Sequence, residues 1–347
     1  MPSDAPPPRV LTQRERNRAL LARQFLLERT TLPIAEVADR IGGLQTQYAP
    51  SGYVGLWTRV EGFRREELTD ALEDRSIVQA TLMRTTIHMV SRRNFWKFAV
   101  GVRRSRREWA ARIRALPDED VIQAGAAKLH AALAEGPRTV KELGEVASGF
   151  VGSLSLWVDL VRVPPSGTWE RRRADRLGLA DAWVGPEDAT EPGALDFLVS
   201  TYLGAFGPAA VKEIADWAGL GVATVKEAAT RLDLVEYADE RGKPLIDLRG
   251  APLPDGTTPA PVRFLPHWDA NLLVHARRTG ILPEVHRGRV FSTKNPFSVG
   301  TVLVDGRVVA GWSLVKDRIV VEPFEDIAAG DRREVERERQ ALEAFHA

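Results

Sequence analysis

The sequence predicts an α+β fold: three tandem winged-helix modules followed by a C-terminal β-rich, barrel-like domain. Three observations carry that expectation: an internal repeat, a helix-helix-hairpin order after it, and a switch to period-two alternation near residue 259. The repeat aligns GPRTVKEL at 136–143 with GPAAVKEI at 207–214, with Gly-Pro, Val-Lys-Glu and an aliphatic residue in register. Each copy follows an amphipathic helical stretch, AAKLHAALAE at 126–135 or LDFLVSTYLGAF at 195–206. A looser copy, LLARQFLLERTTLPIAEVADRIGGL, runs from 20 to 44, with Pro33 opening its second helix.

The last copy is the easiest to follow. After VKEIADWAGL and a turn at Gly221 come a second amphipathic helix, VATVKEAATRLD, and two extended runs in LVEYADERGKPLIDLR. Helices followed by such a hairpin make a winged helix, an order that suits DNA binding. In the first copy REELTDALED at 65–74 supplies a third helix and QATLMRTTIHMVS at 79–91 a hairpin rich in strand formers. The alternative for any single copy is a helical module used for protein contacts. Residues 1–10 read as a flexible arm, 11–116 as the first module with a basic helical extension, 117–190 as the second and 191–250 as the third. Pro-rich LRGAPLPDGTTPAPV at 248–262 marks a boundary, and 259–347 form the β-rich domain with its terminal helix, DRREVERERQALEAFHA. Within it VLVDGRVVAGW reads as a hairpin about Asp305-Gly306, a pair that tolerates the positive φ of a type I′ turn, and Lys316-Asp317 marks a second turn.

With 44% hydrophobic and 27% charged residues over 347 positions, the composition is that of an ordinary globular protein. MPSDAPPPRV lacks the apolar core of a signal peptide, and no run of 18 apolar residues occurs, so no membrane association is expected. Cysteine is absent, which excludes disulfides and thiolate metal sites and favours the cytoplasm, with nucleoid association. The net charge of +1 conceals an asymmetry: residues 1–116 carry 21 Lys+Arg against 12 Asp+Glu, the remainder 27 against 35. Between Arg84 and Arg114 ten basic residues face Glu108 alone, with Phe95, Trp96, Phe98 and Trp109 interleaved. Such a block suits a polyphosphate footprint, and interleaved aromatics suit base stacking. A solvated helix face is the alternative. No phosphate-binding loop, dinucleotide fingerprint or HExxH occurs, and no cofactor or metal is expected.

The segments LQTQYAPSGYVGLWTR, MRTTIHMVSRRNFW, VRVPPSGTWERR, YLGAFGPAAVKEIADWAGL, FLPHWDANLLVHARR and VDGRVVAGW together resemble the winged-helix proteins that include the AlkZ-type DNA glycosylases and the related YcaQ proteins. The resemblance runs over nearly the whole chain in the family's order. It implies three tandem winged helices around a concave DNA-binding surface, a C-terminal β-domain, and removal of alkylated purines, including bulky adducts and interstrand crosslinks made by natural-product antibiotics. It also implies a catalytic element of a glutamine, a central residue and then a glutamine or aspartate. Here that element is Gln45, Thr46 and Gln47, with the two glutamines as catalytic residues. The chain departs from the pattern at Thr46, where the family usually has an aliphatic residue; a hydroxyl is tolerated there if it points to a local backbone group.

Chemistry gives the pair a rationale independent of the resemblance. A neutral amide is a poor base, but an N7-alkylated guanine already carries positive charge and leaves readily, so the main task is to orient water near C1′. One acceptor and two donor hydrogens per glutamine suit that task, and positioning alone can remove roughly 7–11 kcal/mol of barrier in favourable systems. Spacing alone also fits two helix-exit amides capping free carbonyls. If MRTTIHM is a strand, Arg84, Thr86 and His88 share one face and contact phosphate or lesion; a merely solvent-exposed wing is the alternative. Arg92, Arg93, Lys97, Arg103, Arg104 and the triplet Arg171, Arg172 and Arg173 are further expected phosphate contacts. Trp57, His267, Asp269 and His275 are expected to line the cleft, with Trp268 in the core or, alternatively, as a stacking residue; one short segment does not specify a metal site. Two functions are compatible with these residues: a monofunctional glycosylase acting on double-stranded DNA with alkylated bases, and a non-catalytic tandem winged-helix DNA binder or transcriptional regulator. A monomer with no obligate protein partner is expected in either case.

Overall fold

The structure, a computed structural model, describes residues 7–113, 116–146, 151–273, 278–291 and 298–347. A short strand β1 (Arg9–Leu11) precedes helices α1 (Gln13–Arg23) and α2 (Ile34–Arg40). Strand β2 (Leu44–Gln45) leads through α3 (Pro50–Trp57) and α4 (Arg65–Glu73) to β3 (Ile77–Thr81), β4 (Ile87–Ser91) and the long α5 (Phe95–Ile113). The second repeat supplies α6 (Glu119–Ala134), β5 (Arg138–Thr139), α7 (Val140–Val146), α8 (Val151–Leu154), β6 (Leu160–Arg162), β7 (Arg176–Leu179) and α9 (Ala180–Val184). The third supplies α10 (Glu191–Phe206), α11 (Val211–Ala218), α12 (Val222–Ala229), β8 (Leu234–Asp239) and β9 (Pro244–Leu248). The chain ends with β10 (Arg263–Leu265), α13 (Glu284–Val290), β11 (Gly300–Val304), β12 (Arg307–Val315), β13 (Arg318–Pro323) and α14 (Ala329–His346).

The repeated Val-Lys-Glu has a capping origin. In the second repeat the Thr139 hydroxyl accepts from the Glu142 backbone N–H at 3.3 Å while the Glu142 carboxylate accepts from Thr139 N–H at 2.6 Å, a reciprocal box that starts α7. In the third, Ala210 stands where Thr139 does, and only the glutamate half remains, Ala210 N–H to Glu213 at 3.3 Å.

The strands do not form a separate sheet for each repeat. Those of the first and second repeats join one six-stranded sheet, ordered β2-β4-β3-β6-β7-β5, while β8 and β9 form a second sheet with β1 running parallel to β8. Arg9 and Val10, expected in a flexible arm, therefore belong to a sheet. The C-terminal sheet, β10-β11-β12-β13, is open and is not a barrel. Its two faces explain why it need not close. Leu265, Leu303 and Val308 enter one core with residues of α1, α5 and α10, whereas Phe264, Val302 and Val309 enter another with α3, α4 and α14. Alternation buries both faces against helices. The Asp305-Gly306 hairpin forms as expected, with φ of 46° and 77°, and Lys316-Asp317 turns with φ of 48° and 62°.

Candidate active site

Gln45 and Gln47 lie in a strand and the turn after it, and cap no helix. Between α2 and β2 stand two left-handed glycines, Gly42 and Gly43, with φ of 80° and 81°. A Cβ on Gly42 would lie 3.2 Å from Phe206 and 3.3 Å from Trp217, so both the conformation and the space require glycine. This reversal sets β2 antiparallel to β4, with Gln45 opposite His88, and Thr46 N–H extends the ladder to Ile87 O at 2.8 Å.

The two amides are held by groups that can only donate. Arg84 Nη2 donates to Gln45 Oε1 at 2.7 Å, and the backbone N–H of Ile87 donates to Gln47 Oε1 at 2.7 Å. Guanidinium and backbone N–H have no acceptor function, so both amide oxygens must face them, and the orientation of both glutamines follows. Among the described residues neither NH₂ group has a hydrogen-bond partner, and each oxygen keeps a second lone pair. Gln45 is 9% exposed and Gln47 is exposed, which places the pair across the boundary between interior and solvent. Thr46 is buried, and its hydroxyl accepts from Gln79 Nε2 at 3.1 Å, not from a local backbone group.

The hairpin behind the pair departs from the expected strand. Met83–Thr85 form a 3-10 turn in which Arg84 and Thr85 have φ of 52° and 57°, and the Thr86 hydroxyl closes it on Met83 O at 3.0 Å. Arg84, Thr86 and His88 therefore do not alternate on one face. Arg84 folds inward, and its other guanidinium nitrogen reaches Trp217 O near the C-terminus of α11, where carbonyl dipoles favour a cation. Burial pulls its pKa down to about 10. His88 is 2% exposed; burial, followed by the Arg84 charge, pushes its pKa down to about 3. Its Nδ1 lies 3.0 Å from Thr86 O, an acceptor, so the neutral ring carries its proton on Nδ1. Both residues support Gln45 from inside the fold.

Most of the basic helix is likewise engaged within the protein. Arg103 pairs with Asp159 at 2.8 Å and with Glu187, Arg104 lies 3.6 Å from Glu108 and Glu191, and Arg93 pairs with Asp39 at 2.6 Å. Arg92 donates to Val184 O at 2.9 Å and Lys97 to Asn94 at 3.0 Å. Phe95, Trp96 and Phe98 are buried in the main core, Phe98 edge-on to Phe197 at 5.0 Å, and Trp109 is half-buried. The aromatics interleave with the charges because α5 is amphipathic, its apolar face packed on α10. The first three are not stacking platforms.

The loop between β6 and β7 brings the arginine triplet to the site. Gly167, with φ of 79°, passes so close to Gln79 that a Cβ would lie 2.2 Å from its Oε1. Gln79 thus links Thr46 to this loop. Arg172 donates to the Tyr48 hydroxyl at 3.1 Å and lies over the Trp169 ring at 5.7 Å. Arg171 and Arg173 are exposed, with Arg173 2.9 Å from Asp175. Tyr48 in turn meets His267 edge-on at 5.8 Å. His267 is held at Ser298 O at 2.6 Å and its pKa is lowered by burial, which outweighs that bond. Gln79 and Tyr48 were not singled out by sequence; a lone polar residue in the apolar strand IVQAT was the only hint of the first.

The other expected cleft residues lie elsewhere. Trp57 packs on Phe345 at 5.9 Å and under Arg29. Asp269 forms a buried ion pair with Arg59 at 2.8 Å, and half-buried Trp268 lies 6.5 Å from Phe291. His275 lies outside the described residues. Among the described residues no group of three or more His, Asp or Glu side chains is placed to hold a metal ion, and no helix is long and apolar enough to cross a membrane.

Comparison with known proteins adds the family. A family model described as DNA glycosylase AlkZ-like matches residues 38–345. A Streptomyces sahachiroi protein named interstrand DNA cross-link repair glycosylase is 25% identical over 350 residues, covering 92% of each chain. The solved structure of the Streptomyces sahachiroi DNA glycosylase AlkZ superposes with a TM-score of 0.80 at 20% identity, covering 97% of each chain, a likeness of fold. With both glutamines of the expected catalytic element fixed by donor groups, and with the family model spanning most of its length, the chain belongs to the AlkZ-like DNA glycosylase family.

Proposed function

We propose that this glycosylase hydrolyses the N-glycosidic bond of N7- or N3-alkylated purines in duplex DNA, bulky adducts and interstrand crosslinks included, with Gln45 and Gln47 positioning the water. The observation that carries the reading is the fixed orientation of both amides by Arg84 and Ile87. In the reaction the alkylated base departs with the bonding electrons and becomes neutral, leaving an oxocarbenium-like sugar. The second lone pair of each amide oxygen accepts a water O–H, the NH₂ groups bound the remaining directions, and the water proton leaves to solvent. No strong base is required, because the leaving group is already cationic. The name of the Streptomyces sahachiroi relative supports including crosslinks among the substrates.

DNA contact is proposed first for Arg171, Arg172 and Arg173 on the loop beside Tyr48, and second for Arg92, Arg93 and Arg104, which are exposed. The three helix-and-hairpin units are proposed to act as winged helices in a monomer. The test is incubation with duplex carrying N7-methylguanine, then alkali to cleave abasic sites. Strand cleavage by the wild type that is absent in Gln45→Ala and Gln47→Ala supports the proposal; DNA binding with no abasic site from methylated or bulky substrates contradicts it.

A further inference from the structure

Behind the site sheet, where β3, α5 and β6 meet, lies a cavity of about 130 Å³. Its wall is largely apolar, yet Arg106 and Arg162 both line it, with the hydroxyl-bearing Thr81 and Ser155. Arg106 is 9% exposed, and among the described residues it has no hydrogen-bond acceptor and no carboxylate within ion-pair distance; its Nε is fully buried. Arg162 donates only to neutral oxygens, Ala174 O at 3.2 Å and Thr81 Oγ1 at 2.9 Å. Asp159, the acidic residue of the wall, is already held by Arg103 at 2.8 Å.

Arg106 differs from the other buried guanidinia of this protein, each of which has an acceptor. Arg23 and Arg59 meet Asp247 and Asp269 at 2.7 and 2.8 Å, and Arg263, without a carboxylate, reaches the carbonyls of Val262 and Leu27. Burial lowers Arg106 and Arg162 to about 10, and the Arg106 charge adds to the shift of Arg162, so both stay protonated near neutral pH. A buried, unpaired Arg106 beside a second, half-buried cation is a costly arrangement unless a counter-ion completes it.

The geometry points to an oxyanion site in which Arg106 and Arg162 bind one phosphoryl-sized anion, with the Thr81 hydroxyl, which accepts from Arg162 and keeps its own hydrogen, as a neutral donor. The volume is on the order of four water molecules, enough for a phosphate group. The same chemistry is offered by inorganic phosphate and by a DNA backbone phosphate. Thr81 pairs with Ile87, whose N–H holds Gln47, so the anion sits one strand behind the glutamine pair. The inference is independent of the reaction proposed above.

The test is thermal unfolding of the full chain in phosphate-free buffer, with inorganic phosphate titrated at an ionic strength fixed by sodium chloride. A saturable rise in midpoint is expected for the wild type, abolished in Arg106→Met and reduced in Ala99→Leu, which fills the cavity and leaves both charges. Without phosphate, Arg106→Met should melt no lower than the wild type, because it removes an unpaired buried charge. If DNA supplies the anion, free phosphate gives no shift, and Arg106→Met or Ala99→Leu instead lowers the slope of log affinity against log salt by about 0.9. The site is overturned if neither response is seen, or if the phosphate response persists undiminished in the variants, which would place the anion elsewhere, as on Arg171–Arg173. Should Arg106→Met fail to fold, the Ala99→Leu comparison decides alone.

Discussion

Helix α5 and the four residues from Gln45 to Tyr48 make opposite use of their side chains. The helix carries a strong net positive charge, yet two of its arginines, Arg103 and Arg104, reach acids of the same chain, with Asp159, Glu187 and Glu191 coming from the acidic remainder. The segment Gln45–Tyr48 carries no charge, and its amides present unsatisfied NH₂ groups while held by Arg84 and Ile87. A basic first third and an acidic remainder therefore describe internal pairing as much as a nucleic-acid footprint. What separates a ligand-binding group from a structural one is whether its hydrogen bonds are already made.

The comparison breaks most readily at the glutamines. Gln45→Ala and Gln47→Ala should each slow single-turnover excision of N7-methylguanine by about 100-fold or more, in the range of lost positioning and proton handling, with duplex binding little changed. Comparable activity in either variant would remove the distinction between the two regions.

Arg84→Met should cost about tenfold or more in the same assay without touching substrate, because the Gln45 oxygen loses its donor. Stability should fall by about 1–3 kcal/mol, since Trp217 O and Gln45 Oε1 lose a charged donor in a part-buried setting. Urea unfolding read beside the excision rate separates the two effects.

The pH dependence of stability follows from His88. Its folded pKa is near 3, below the usual 6.5, so the unfolded chain binds the proton more readily between those values. The contribution is complete above about pH 6.5 and is lost as pH falls toward 3, at up to about 1.4 kcal/mol per pH unit. His346, lowered to about 4 by burial and then by Arg172, adds to the upper part of that window. Urea midpoints between pH 7 and 4 should flatten in His88→Asn relative to the wild type; an unchanged slope would mean that His88 is not buried as a neutral ring.

The smallest expected effects separate the two basic regions directly. Arg171→Ala should lower the slope of log affinity against log salt by about 0.9 and leave stability unchanged. Arg103→Ala should leave the slope unchanged and destabilise by about 0.5–1 kcal/mol, because two partly exposed ion pairs are lost. Fluorescence anisotropy on unmodified duplex at several salt concentrations, with urea midpoints, would distinguish these outcomes.

What could be read from the sequence was local or familial. Val-Lys-Glu marks a capping glutamate, Asp305-Gly306 marks a turn, and LQTQ marks the proposed catalytic element through resemblance; each is encoded within a few residues. The merger of two repeats into one sheet, the inward turn of Arg84 to Trp217 and the reach of Gln79 to Thr46 depend on partners 33 to 133 positions away. Alternation placed Arg84, Thr86 and His88 on one face only while the segment was read as a strand; left-handed Arg84 and Thr85 interrupt it. Likewise, nothing in a run of arginines says which acids meet them after folding.

The central claim is that Gln45 acts as oriented by Arg84 and that this unit performs the hydrolysis. A double-mutant cycle on single-turnover excision of N7-methylguanine, with Gln45→Ala, Arg84→Met and both together, tests it most directly. The double variant should be no slower than Gln45→Ala alone, because Arg84 has nothing left to orient. Losses that multiply, or a Gln45→Ala enzyme that excises at the wild-type rate, would contradict it.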